Sequence, residues 1–99
     1  MWYVLNAKDV KGSLEKRLLH RPKHLARLNE LIKNGRLLLA GAYPAIDSLD
    51  PGNNGFTGSL IIAEFDNINE AHAWVDQEPF LINGIYESVD IKPFRKSLP

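Results

Sequence analysis

No cysteine occurs among the 99 residues, which excludes disulfide frameworks, zinc–thiolate sites, iron–sulfur clusters and cysteine nucleophiles. Nor is there an excess of one charge: twelve Lys and Arg balance twelve Asp and Glu. A general nucleic-acid or membrane-surface binder needs a strong positive field, which this balance does not supply. No apolar run approaches the roughly 20 residues that cross a bilayer. The first residues, Met1-Trp2-Tyr3-Val4-Leu5-Asn6-Ala7-Lys8, lack a basic region followed by a long apolar stretch. No signal peptide is therefore expected, and a cytoplasmic setting is. What is present is ordinary for a globular chain, 44% hydrophobic and 24% charged, and the length suits one domain over residues 1–99.

Residues 2–8 are aromatic and branched and predict a strand. Ser13 stands where a helix cap is needed, and Leu14, Leu18, Leu25, Leu28, Leu31 and Ile32 follow at mostly helical spacing. Pro22 interrupts that pattern, so the expectation is a short helix, then a longer one with Pro22 in its first turn, closed by Asn34-Gly35. Residues 36–42 predict a second strand and residues 59–65 a third. Between them, 43–57 is a turn-rich loop of a length common in lids and binding loops. Asn67 and Glu70 have capping-box spacing and open a second helix, which Pro79 stops after Glu78. Residues 86–92 alternate as a fourth strand, with Glu87, Val89 and Ile91 on one face and Tyr86, Ser88, Asp90 and Lys92 on the other. This order is that of a ferredoxin-like α+β fold: split βαββαβ, one antiparallel four-stranded sheet with helices on one face.

The strand faces carry a further implication. The second strand offers Leu37 and Leu39 to one side and Leu38 and Ala40 to the other, and the third splits Leu60 and Ile62 from Ile61, Ala63 and Phe65. Helices cover one face only, and an apolar sheet face is too large a patch to leave in water. A homodimer joined sheet to sheet is expected.

Three histidines are present. His20 and His24 are four apart, a metal-ligand spacing on a continuous helix, but Pro22 lies between them and nothing completes a site, so no metal or other cofactor is expected. His72, beside Glu70, reads as a solvated residue. His24 falls in the first turn of the expected longer helix, where the helix N-terminus disfavours the imidazolium and leaves a base. The carboxylates able to orient it are Asp76, Glu78, Asp47 and Asp50, and spacing does not choose among them. The cluster Lys16, Arg17, Arg21, Lys23 and Arg27 reads either as a solvated face paired with Glu15 and Glu30 or as a site for a small anionic molecule. RNA-recognition modules share this element order, but Ser59-Leu60-Ile61-Ile62-Ala63 supplies aliphatics where stacking aromatics are needed. The glycines at 52, 55 and 58 match neither phosphate-loop pattern.

A resemblance adds to this reading. The blocks Leu14-Glu15-Lys16-Arg17-Leu18, Arg21-Pro22-Lys23-His24-Leu25-Ala26-Arg27-Leu28 and Gly35-Arg36-Leu37-Leu38-Leu39-Ala40-Gly41 come first. Pro44-Ala45-Ile46-Asp47-Ser48, Gly55-Phe56-Thr57-Gly58-Ser59, Glu78-Pro79-Phe80 and Val89-Asp90-Ile91-Lys92-Pro93-Phe94 follow in the same order as in the YciI-like (YCII-related) family. The resemblance implies a ferredoxin-like fold dimerising as an α+β barrel and an active site built on a histidine and an aspartate. The family histidine matches His24. The family aspartate matches Glu78, which keeps the charge but reaches one methylene further, with Asp76 two residues earlier as a substitute. The expectation is a small acid/base enzyme, of isomerase, lyase or dehydrochlorinase type, with His24 and Glu78 catalytic. Arg17, Arg21 and Arg36 would hold a substrate carboxylate. The alternative is a non-catalytic small-ligand-binding or interaction module.

Overall fold

In the computed structural model, which describes all of Met1–Pro99, four strands form one sheet. The elements are β1 (Trp2–Asp9), α1 (Leu14–Lys33), β2 (Leu37–Pro44), β3 (Phe56–Glu64), α2 (Ile68–Asp76), α3 (Pro79–Ile82) and β4 (Tyr86–Phe94), with a short 3-10 turn at Gly52–Asn54. The spatial order is β2-β3-β1-β4 and every pairing is antiparallel. This is the ferredoxin-like arrangement expected from the element order. Tyr3 and Leu5 of β1 and Ile61 and Ala63 of β3 pack with Leu28 and Leu31 of α1 and Ala71 and Val75 of α2. The helices therefore share one face of the sheet. No helix is long and apolar enough to cross a membrane.

Five local expectations are corrected. Pro22 does not break the first helix: α1 runs unbroken for 20 residues with Pro22 inside it. The proline ring lies on the exposed side, and the Leu18 carbonyl that loses its donor belongs to a residue 63% exposed, where water serves it. On the opposite side Arg17, His24, Leu28 and Leu31 are buried against the sheet, and that packing carries the helix across the weak point. His24 consequently sits in mid-helix, and the N-terminal field argument does not apply to it. Past the Asn34 cap, Gly35 with a φ of +68° lets the chain turn so that the Arg36 N–H reaches the Leu31 carbonyl.

Two more come from bulges, which move residues between faces. The register of β1 against β4 shifts between Lys8 and Asp9, so Tyr86 pairs with Asp9 and joins Val89 and Ile91 on the helix side. The register of β2 shifts between Leu37 and Leu39, placing Leu37 against the core while Leu39, 45% exposed, faces outward beside Ile62. The second helix also stops earlier than expected, at Asp76, and Glu78 N-caps the separate α3. Finally, the loop between β2 and β3 shortens to residues 45–55, because both strands extend into it.

Candidate active site

The buried stripe of α1 is unusual because two of its four members, Arg17 and His24, are titratable. Beyond Leu37, the inner face of the edge strand β2 offers Ala40 and Ala42 to the space beneath this helix. Small side chains there leave a cleft between helix and sheet, a cavity of about 430 Å³. Arg17, Arg21, His24, Ser59, Phe56 and Phe80 contribute to its walls, and nine of the fourteen lining residues are hydrophobic. That volume and character fit a small-molecule site. No carboxylate is among the lining residues, so the charge facing the cavity is positive.

His24 is 7% exposed and its Nδ1 bonds Oε1 of Glu78, itself 1% exposed. The Phe80 ring stacks on the imidazole at 4.0 Å and 10°, fixing its plane. Glu78 is placed by the short turn between α2 and α3, where its N–H bonds the Val75 carbonyl at 2.9 Å. Pro79 starts α3 at its first position, and the Glu78 side chain accepts from the Phe80 N–H at 3.4 Å as the N-cap. The second carboxylate oxygen accepts from Arg27 Nη1 at 2.9 Å. A carboxylate removed from water this completely costs several kcal/mol unless paired, roughly speaking; His24, Arg27 and one backbone donor provide the pairing. With Nδ1 committed to Glu78, a neutral ring carries its proton there and keeps its lone pair on Nε2, which has no protein partner.

Arg17 occupies the other end of the cavity. Its Nε and Nη2 bond Asp9 at 2.6 and 3.0 Å, and Nη2 also reaches the Gly58 carbonyl and Ser59 Oγ. Ser13 caps α1 by position only, since its hydroxyl donates to Asp9 instead. The rings of Phe56, Phe80 and Tyr86 surround the guanidinium at 5.2 to 6.0 Å. Nη1 alone has no protein acceptor. The Tyr86 hydroxyl is fully buried without a hydrogen bond. Burial pushes its phenol well above the usual tyrosine range. The nearby Ser59 hydroxyl and Arg17 oppose that shift, and Glu78 and Asp9 add to it.

The structure thus brings His24 and Glu78 into contact and sets Arg17 and Arg21 around the same cavity. Arg36 lies elsewhere, bonded to the Glu64 carbonyl and resting over Phe65, and Asp76 is exposed at the end of α2. Neither lines the cavity. Residues 45–55 do not line it either, and only Phe56 comes from the expected lid. His20 and His24 do share one continuous helix, but no group of three or more His, Asp or Glu side chains gathers. In the sequence Asp9, Phe80 and Tyr86 had no place in the site, and Arg27 had only membership of the basic cluster. Only the Arg-x-x-His-x-x-Arg spacing, which puts Arg27 one turn beyond His24, offered a signal.

These features define a small α+β protein with a buried histidine–carboxylate pair at a helix–sheet cleft. The family model of the YCII-related domain matches residues 1–95, and the chain belongs to that family. It is 56% identical to Protein YciI of Escherichia coli (strain CFT073) over 96 residues, covering 97% of this chain and 98% of that one. An uncharacterized protein of Haemophilus influenzae is 49% identical with the same coverage. Among solved structures, the 5-chloro-2-hydroxyhydroquinone dehydrochlorinase of Burkholderia phenoliruptrix AC1100, in complex with 2,5-dihydroxybenzoquinone, superimposes with a TM-score of 0.85 at 25% identity. The match covers 98% of this chain and 96% of the dehydrochlorinase.

Proposed function

We propose that the chain is a small-molecule enzyme in which His24, oriented by Glu78, exchanges a proton with a small carboxylated or carbonyl substrate. The observation that carries this reading is the buried His24–Glu78 pair opening, through an unpartnered Nε2, on a cavity of ligand size. Nε2 takes a proton from carbon next to a carbonyl, and the electron pair moves toward the carbonyl oxygen. Return of the proton elsewhere on the substrate completes an isomerisation; loss of a leaving group such as chloride completes an elimination. Glu78 holds the ring and supports the imidazolium. Arg17, through Nη1, and Arg21 at the cavity wall meet the anionic oxygen of the substrate. The likeness to a dehydrochlorinase supports the elimination branch.

The chain works as a homodimer. Trp2, Val4, Leu60, Leu39 and Tyr43 lie on the sheet face away from the helices, an apolar surface that a second copy covers. Sedimentation equilibrium should give twice the chain mass, and Leu60→Lys should give the monomer.

The direct test is chloride release from 5-chloro-2-hydroxyhydroquinone, with calorimetric binding of 2,5-dihydroxybenzoquinone alongside. Wild-type turnover that His24→Ala abolishes while the quinone still binds supports the reading. Equal turnover by His24→Ala contradicts it. Binding without turnover favours a ligand-binding module.

A further inference from the structure

Glu78 reaches His24 with one oxygen, and what holds the other oxygen is Arg27. Arg27 stands three residues beyond His24 on α1, so the two side chains leave neighbouring positions of one helix surface. Its guanidinium is anchored independently of the carboxylate. Nη2 donates to the Trp74 carbonyl at 2.8 Å, in the last turn of α2, where the only backbone donor to that oxygen is the Gln77 N–H at 3.3 Å. The Trp74 ring lies beneath the guanidinium at 4.1 Å. Nη1 is then directed at Glu78 Oε2. Oε2 has no other partner, and the remaining hold on the carboxylate is the long N–H contact from Phe80 to Oε1.

We propose that Arg27 is a positioning residue. Its two-pronged guanidinium, fixed on the end of α2, sets the rotation of the Glu78 carboxylate that presents Oε1 to His24 Nδ1. The chemistry of glutamate requires such a hold. Its carboxylate sits on one more rotatable bond than that of aspartate, so reach is gained and orientation is lost unless both oxygens are tied. Without Arg27, Oε2 is a buried acceptor with no donor, and the carboxylate turns toward whatever donor remains, drawing Oε1 off the imidazole. A lysine would restore the charge but not the planar fork that bonds Trp74 and Glu78 together. The proposal rests on the reading of His24 and Glu78 as the reacting pair, for which the ring tautomer matters: with the proton fixed on Nδ1, Nε2 is the free base.

Long-range nitrogen–proton NMR of the His24 ring in the full chain tests this without a substrate. Wild type should show the Nδ1–H tautomer with a resolved Nδ1 proton. Both Arg27→Gln and Arg27→Lys should lower the Nδ1–H fraction roughly twofold or more as the ring relaxes toward the Nε2–H form. Arg27→Lys keeps charge and length at a half-buried position, so it reports even if Arg27→Gln is poorly folded. A wild-type ring signature in folded Arg27→Lys overturns the proposal, because charge alone would then suffice. Absence of turnover in wild type would sink the enzymatic reading yet leave these ring signatures unchanged, so the two failures are distinguishable.

Discussion

Replacing Arg17 by Met should cost the domain a large share of its stability, and replacing Asp9 by Leu in the same chain should return most of it. The side chains are 9% and 1% exposed, so neither charge is served by bulk water. Arg17→Met leaves the Asp9 carboxylate with only the Ser13 hydroxyl, and leaves Gly58 O and Ser59 Oγ without their shared donor. Breaking one side of such a pair costs about 3–5 kcal/mol. A domain of this length has about 5–15 kcal/mol in total. Each kcal/mol lowers the melting temperature of such a domain by roughly 4–8 °C, so the loss is roughly 12–40 °C. Methionine keeps apolar contact with the Phe56, Phe80 and Tyr86 rings, which confines the effect to the charge. In the double variant no charge is stranded, and a coupling of at least about 2 kcal/mol should separate the cycle from additivity. Equilibrium urea unfolding of the four proteins measures it. A cost below about 1 kcal/mol for Arg17→Met would refute the reasoning, since exposed pairs behave that way.

Other outcomes follow from particular residues. The folded Tyr86 phenol holds its proton more tightly than the unfolded one, so unfolding releases that proton once pH passes the usual tyrosine value. Stability is therefore unaffected below about pH 10 and falls above it by up to about 1.4 kcal/mol per pH unit. Tyr86→Phe should lose that alkaline slope in unfolding measured from pH 8 to 11, with neutral stability unchanged or raised, because the hydroxyl makes no hydrogen bond. At Gly58 a Cβ would lie 2.1 Å from the Ala7 carbonyl oxygen, so Gly58→Ala must part β1 from β3. It should lower stability by at least about 1–3 kcal/mol in the same assay. Pro22→Ala restores a donor inside α1 and should raise stability by about 2 kcal/mol, the interior proline penalty less the entropy regained by the unfolded chain.

Strand order and the two helix regions were legible in the sequence because periodicity, caps and turns are local signals. The pairing of His24 with Glu78 was reached through family resemblance, since spacing alone left four carboxylates open. What was not legible depends on distant partners. Arg17 looked like one member of a basic surface cluster, yet its acceptors lie 8, 41 and 42 residues away, and only the folded sheet brings them to it. Leu18 and Ile32 fitted the apolar spacing but are 63% and 58% exposed, because the stripe that meets the sheet passes through Arg17 and His24 instead. Tyr86 was set opposite Val89 and Ile91, and Leu37 beside Leu39, for one reason: a single extra residue in a strand inverts the alternation beyond it, and a bulge leaves little trace in composition.

The central claim is that Nε2 of His24 is the atom that meets a ligand in the cleft between α1 and β2. Titrating nitrogen-labelled protein with 2,5-dihydroxybenzoquinone while following both ring nitrogens of His24 tests it most directly. The account predicts that Nε2 shifts on binding while the Nδ1 proton stays with Glu78; saturation of the protein with both nitrogens unmoved would contradict it.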